Sequence, residues 1–294
     1  MKNKVSLFLM SRKGYVVLCD LIKNGFAPLI DIVVIAHDKN MINDYYDDMY
    51  AICQKSNIQV YDKNDDVTIS SEYCISIAWR WIIPKNKSSR LIVIHDSLLP
   101  KYRGFSPLVN MLINKEPYIG VTSLFACDEY DKGDIISQRK TAITYPIKIT
   151  EAINIITSLF SEIVCDIFDK VNNGEELRST PQKEEESSYS LWRDENDYRI
   201  DWNQTSEFIQ QFIYSVGYPF KGASAILDNH LIRILDCTIE DDVRIENRQA
   251  GKVIFTKNGQ PVIVCGKGLI KITKALFEDG SDALPFKKFR TRLI

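Results

Sequence analysis

The stretch from Leu91 to Gln138 constrains this chain more than any other. It opens with an apolar run, Leu91-Ile92-Val93-Ile94, and then reaches His95. A short unbroken apolar run reads as a buried strand, and open α/β sheets place their chemistry beyond the carboxyl ends of such strands. His95 is therefore predicted at a sheet edge. The loop that follows, Ser97 to Gly104, contains Pro100, which fixes φ, and Gly104, which permits positive φ, so it has a defined shape. Behind Pro107, a residue suited to a first helical turn, the segment Phe105 to Ile113 carries Leu108, Val109, Leu112 and Ile113 at helical spacing. Ile119 to Phe125 alternates and is β-branched, predicting a strand. Cys127 to Asp134 is an acidic loop, and Ile135-Ile136 opens another strand. Two loops, one carrying His95 and one carrying Asp131, are thus expected to converge at one edge. Such a pair suits proton transfer, because histidine exchanges a proton near neutral pH and a neighbouring carboxylate sets its tautomer. A lone histidine at a strand end is more often structural, so the residues alone leave both readings open.

The rest of the chain divides around a compositional break. Val5 to Met10, Ile30 to Ala36, Ile58 to Tyr61 and Tyr73 to Ala78 read as strands, with helices over Tyr15 to Lys23 and Met49 to Ser56. This is a Rossmann-like, mostly parallel α/β sheet. Ser11-Arg12-Lys13-Gly14 has one glycine where dinucleotide sites use three, so no nicotinamide cofactor is expected there. Thr150 to Val171 has the periodicity of a long amphipathic helix, with Thr150 as its cap. Residues 181-200 are polar and charged and read as a linker between a first domain, 1-180, and a second, 201-294. The second begins with a helix from Thr205 to Ser215. It continues with about five short strands, joined in part by Asp228-Asn229 and Asn258-Gly259 turns, which predicts a small OB-like β-barrel.

Composition excludes several function classes. A net charge of −2 gives no drive toward nucleic acid or anionic membranes. Asp38, Asp44, Asp47 and Asp48 form what reads as a solvated acidic loop that would repel phosphates. Lys287, Lys288, Arg290 and Arg292 read as a solvated basic tail. The seven cysteines are odd in number and contain no CxxC pair, as in a protein of a reducing, cytoplasmic compartment, and no Cys/His cluster offers a metal site. Cys127 sits on the acidic loop among carboxylates, which disfavours a reactive thiolate. No segment predicts a signal peptide or a membrane span.

Four linked motifs carry a family resemblance: Val93-Ile94-His95, Ser97 to Gly104 (SLLPKYRG), Gly120-Val121-Thr122 and Asp131 to Gln138 (DKGDIISQ). In this order and spacing they resemble the folate-dependent formyltransferases, and Arg199-Ile200-Asp201-Trp202 and Tyr218 to Ala223 resemble the C-terminal domain of the same family. The motifs are most similar to the nucleotide-sugar N-formyltransferases of surface-polysaccharide (lipopolysaccharide) biosynthesis, and methionyl-tRNA formyltransferase is similar too. The resemblance implies a formyltransferase domain followed by an OB-like domain. It also implies N10-formyltetrahydrofolate as co-substrate, a nucleotide amino sugar as partner and no metal; a homodimer is compatible with it. It assigns His95 as general acid/base and Asp131 as its carboxylate partner. Ile82, Ile83 and Pro84, with Cys127, Asp128, Glu129, Tyr130 and Asp131, would hold the pterin. Two positions depart from the family. Val93 stands where an Asn donates to the oxyanion of the tetrahedral intermediate, and loss of one such donor costs about 10²–10³ in rate. Phe105 stands where the aminoarabinose-modifying relative has Arg. The alternatives left open are a methionyl-tRNA formyltransferase, or a formyltransferase-like protein without turnover or with another donor.

Overall fold

In a computed structural model describing residues 4–38, 43–83 and 89–294, the chain forms two compact units. The first comprises Met1–Leu108, Tyr118–Ala142 and Ile153–Leu191; the second comprises Val109–Pro117, Ile143–Ala152 and Trp192–Ile294.

The first unit is built on strands β1 (Val5–Leu9), β2 (Ile30–Ile35), β3 (Gln59–Asp62), β4 (Tyr73–Ile77), β5 (Arg90–His95), β7 (Tyr118–Phe125) and β8 (Ile135–Ala142). Their order is β3-β2-β1-β4-β5-β7-β8. The first five run parallel, and β7 and β8 are antiparallel to their neighbours. Every residue of β1 and β4 is buried, as strands in the middle of a covered parallel sheet require. β8 is one edge, and its polar, part-exposed residues suit that position. The chain leaves β1 on one side toward β2 and returns on the other at β4, a switch point that opens a crevice at the carboxyl ends of the central strands.

Helix α1 (Ser11–Lys23) starts earlier than the predicted Tyr15. Gly14 lies inside it, where a Cβ would stand 2.9 Å from the Cβ of Leu9, so the helix can begin directly off β1. Helix α2 (Tyr46–Lys55) joins β2 to β3. Helix α3 (Pro107–Ile113) follows a two-residue strand β6 (Arg103–Gly104). Helix α4 (Ile149–Asn172) already includes Thr150, so Thr150 is not its cap. From Ile156 onward α4 lies along α1 and the turn after it: Ser161 donates to Asp20 at 2.6 Å, and Phe168 packs on Phe26, just past α1, at 5.6 Å. Ile156, Phe160, Ile163, Val164, Ile167 and Phe168 are at most 1% exposed, at about 1.5–3 kcal/mol each of hydrophobic burial.

Part of the segment read as a linker is ordered against the first unit. Within it β9 (Tyr189–Ser190) pairs in parallel with β6, and Thr180, just before it, exchanges backbone hydrogen bonds with Ile135 at 2.8 Å. In the second unit, helix α5 (Ser206–Ser215) packs on an antiparallel sheet of order β10-β11-β14-β13-β12. These strands are β10 (Ala223–Leu227), β11 (His230–Glu240), β12 (Val253–Lys257), β13 (Gln260–Val264) and β14 (Leu269–Phe277). Asp228 and Asn229, and Asn258 and Gly259, all have positive φ, the conformation of tight hairpin turns. The basic C-terminus is not a loose tail: Val253 donates to Thr291 O at 3.0 Å, Ile226 donates to Ile294 O at 2.7 Å, and Leu293 is buried.

Candidate active site

His95 ends β5 with 7% of its surface exposed. The loop after it is fixed by the residues that make up the sequence motifs. Thr122, on β7 opposite His95, donates its hydroxyl to Ser97 O at 2.6 Å and accepts from Leu99 N at 3.1 Å. The Gln138 amide donates to Leu99 O at 2.8 Å and to Thr122 Oγ1 at 2.9 Å. Gly120 leaves room for the loop, since a Cβ there would meet Leu98 at 2.6 Å. Thr122, Gln138 and Gly120 therefore shape the Ser97–Gly104 loop from the neighbouring strands. Tyr102, at φ +60°, turns its carbonyl toward His95 Nε2 at 2.9 Å. A carbonyl only accepts, so Nε2 carries the hydrogen of that bond.

The ring's other nitrogen, Nδ1, faces Asp131 Oδ1 at 3.6 Å. This is an ion-pair distance, longer than a hydrogen bond. The two predicted residues are thus brought together. With Nε2–H bound to the Tyr102 carbonyl, Nδ1 is the ring nitrogen that faces the carboxylate. Asp131 is anchored through Oδ2, which accepts from Gly104 N at 2.8 Å, and has φ +56°.

A second layer was not legible in the sequence. The Arg103 guanidinium is fully buried. It donates to Gln182 Oε1 from Nε at 3.1 Å and Nη2 at 2.9 Å, and from Nη1 to Glu184 Oε2 at 2.8 Å and the Tyr189 hydroxyl at 3.1 Å. Burial disfavours its charge, but Glu184 and Tyr189 outweigh that and hold its pKa above the ordinary value. The Arg103 hydrogen bond in turn holds the Glu184 carboxyl below its ordinary value. Gln182 completes the chain to the site, donating Nε2 to Asp131 O at 2.6 Å and Gly133 O at 2.8 Å. Within the polar run Gln182 to Ser188, nothing local singles out Gln182; its partners lie about 50 and 80 residues away.

The remaining predicted residues separate into two groups. Ile83 packs on the cluster of Phe8, Ile32, Val34 and Cys74, as does Trp79, which meets Phe8 at 5.3 Å and Trp81 at 5.2 Å. Ile82 is 88% exposed, an unusual state for isoleucine. Pro84 lies outside the described residues. Cys127, Asp128, Glu129 and Tyr130 are all exposed on the loop before Asp131. Cys127 donates to Glu129 O at 3.1 Å, and Lys132 pairs with Glu129 at 2.6 Å.

Val93 lies two residues before His95 and so on the same face of β5, in register with Ser76 on β4 and Leu124 on β7. It offers no donor. The adjacent Asp96 pairs with Lys13, and a carboxylate only accepts, so it does not replace an amide. The acidic loop differs from its solvated reading. Asp38 is buried and paired with Arg80 at 2.7 Å, and Asp44 accepts from Asp38 N and Tyr46 N and meets His37 Nδ1 at 2.8 Å. Its charge is partly neutralised in place, which weakens the argument that it repels nucleic acid. Among the described residues no helix is long and apolar enough to cross a membrane.

The family model "Formyl transferase" matches residues 40–155, and "Formyl transferase, C-terminal domain" matches residues 193–290. The methionyl-tRNA formyltransferase of Streptococcus agalactiae is 25% identical over 226 residues, covering 76% of this chain and 70% of that protein. The N-formyltransferase of Helicobacter canadensis, solved with folinic acid and dTDP-3-aminofucose, superposes with a TM-score of 0.69 at 18% identity over 92% of this chain and 98% of its own. HypX of Aquifex aeolicus, solved with tetrahydrofolic acid, superposes with a TM-score of 0.65 at 18% identity; 95% of this chain is covered but only 45% of HypX, so the chain spans under half of that protein. With two matched models in sequence order along the chain, on an α/β unit and an antiparallel-sheet unit, the chain belongs to the formyl transferase family.

Proposed function

We propose that this protein transfers the formyl group of N10-formyltetrahydrofolate to the amine of a nucleotide-linked amino sugar, in the cytoplasm, for surface-polysaccharide assembly. The observation that carries this reading is His95 at the end of β5, with Nε2 bound to the Tyr102 carbonyl and Nδ1 facing Asp131. The neutral amine attacks the formyl carbon, and the carbon–N10 bond breaks as the tetrahedral intermediate collapses. One proton leaves the attacking nitrogen and one must reach N10. Nδ1 of His95 takes up and returns that proton, and Asp131 stabilises the imidazolium formed in between. In this reading Ile82, Ile83 and Pro84, with Cys127 to Asp131, line the pterin site. The exposed apolar Ile82 beside the Trp79–Trp81 pair is consistent with a surface that a flat ring covers. Val93 leaves the oxyanion without an amide donor on β5, and a slow chemical step follows from that.

The sugar substrate is supported by the Helicobacter canadensis relative, whose fold extends over nearly all of both chains. A second reading, formylation of methionyl-tRNA, is favoured by the names of the sequence relatives. The deciding experiment measures tetrahydrofolate release from N10-formyltetrahydrofolate with a panel of nucleotide amino sugars and, separately, with charged initiator tRNA. Sugar-dependent release that disappears in His95→Ala supports the proposal. Release with tRNA alone transfers the assignment to the second reading. Folate binding without release for any amine sinks both.

A further inference from the structure

We propose that Gln182 is the positioning residue of this site: its carboxamide, oriented by the buried Arg103 guanidinium, holds the Asp131–Gly133 turn so that Asp131 faces His95. This role rests on the reading that Asp131 and His95 work together in formyl transfer.

The hydrogen bonds define the amide without ambiguity. Two N–H groups of Arg103 converge on one end of the Gln182 side chain, at 3.1 and 2.9 Å, so that end is the oxygen. The other end meets two backbone carbonyls, Asp131 O at 2.6 Å and Gly133 O at 2.8 Å, so it is the nitrogen, with both hydrogens used. A carboxylate of the same length would satisfy Arg103 but turn an oxygen toward two carbonyl oxygens. An apolar residue would do neither. Glutamine fits because it carries an acceptor and two donors on one planar group.

The turn needs this hold. Asp131 adopts φ +56°, the left-handed region, which Asp enters more readily than most residues but which surrounding contacts must hold in place. Its side chain ties the turn to Gly104 N through Oδ2, but a carboxylate only accepts, so it cannot satisfy the backbone carbonyls of Asp131 and Gly133. Gln182 supplies the backbone anchor from outside the sheet. The segment bearing it is fastened by the Thr180–Ile135 pair on one side and by β9 on the other, where Arg103 N donates to Ser188 O at 2.9 Å. Arg103 therefore fixes this segment through its backbone and orients Gln182 through its side chain.

The test uses the full chain and a readout independent of turnover. The imidazole 15N resonances of His95, assigned by their loss in His95→Ala among three histidines, report which nitrogen is protonated near neutral pH. Asp131→Asn defines the signature of a His95 without its carboxylate. Gln182→Glu keeps a partner for Arg103 and so keeps the segment attached. It is expected to move the His95 resonances toward those of Asp131→Asn, and to lower kcat at least about tenfold. Gln182→Ala, in which Arg103 retains Glu184 and Tyr189, is expected to move the resonances in the same direction and serves if the Glu variant fails to fold. His95 resonances that coincide with wild type in the folded variant overturn the proposal. If no amine supports turnover in any protein, wild type included, the transfer reading fails, and the His95 resonances still decide the role of Gln182.

Discussion

Replacing Gly133 by alanine would place a Cβ 1.6 Å from the carbonyl oxygen of Phe125, where real Cβ atoms essentially never come closer than 3.0 Å. The obstacle is backbone at the end of β7, so no side-chain rotation relieves it. One of the two segments must move by the difference, about 1.4 Å. Three hydrogen bonds depend on the present spacing: Phe125 N to Asp134 O at 3.0 Å, and the two from Gln182 to Asp131 O and Gly133 O at 2.6 and 2.8 Å. Stretching each by that amount breaks it, and at about 1 kcal/mol apiece the variant loses about 2–4 kcal/mol of stability. The same movement displaces Asp131 from His95, and a misplacement of about 1 Å in such a pair costs about 10² in rate. Urea denaturation followed by tryptophan fluorescence measures the first effect, and tetrahydrofolate release measures the second. A Gly133→Ala protein with an unchanged urea midpoint and wild-type turnover would refute the reasoning, because the turn would then tolerate displacement.

Three further expectations come from other parts of the molecule. Val93→Asn places an amide on the face of β5 that carries His95 and is expected to raise kcat by up to about 10²–10³; unchanged turnover would show that a donor at this position does not limit the reaction. Thr205 caps α5 by accepting from Phe208 N at 3.2 Å, so Thr205→Ala should lower the urea-unfolding free energy by about 1 kcal/mol, and a loss near zero would show the cap to be idle. Hydrogen bonds from Lys257 and Lys271 hold the Glu240 carboxyl below its ordinary value. A depressed folded-state pKa adds stability above the ordinary carboxylate value, and that stability is lost as pH falls through the folded-state pKa. Wild type should therefore exceed Glu240→Gln in urea midpoint at neutral pH, with the two converging in acid; a gap independent of pH contradicts this.

The amino-acid sequence by itself determined the strands of the central sheet, because β1, β4 and β5 must be apolar along most of their length to lie between covered faces. It also determined the hairpins at Asp228-Asn229 and Asn258-Gly259, where residues tolerant of positive φ stand between apolar runs, and the placement of His95 at a strand end. Each of these follows from interactions among near neighbours. The tertiary structure decided what depends on distant ones. It set the start of α1 against Leu9, the burial of Asp38 against Arg80, and the ordering of residues 180–190 beside β6 and β8. The clearest case is Gln182: in sequence it is one polar residue in a charged run, and in the fold it joins Arg103 to the carbonyl of Asp131. A hydrogen bond between residues 79 apart leaves no local periodicity or composition to read, since the loop that closes it can have almost any sequence. The chemistry of the site lay in its motifs, and its geometry lay in contacts that only folding brings together.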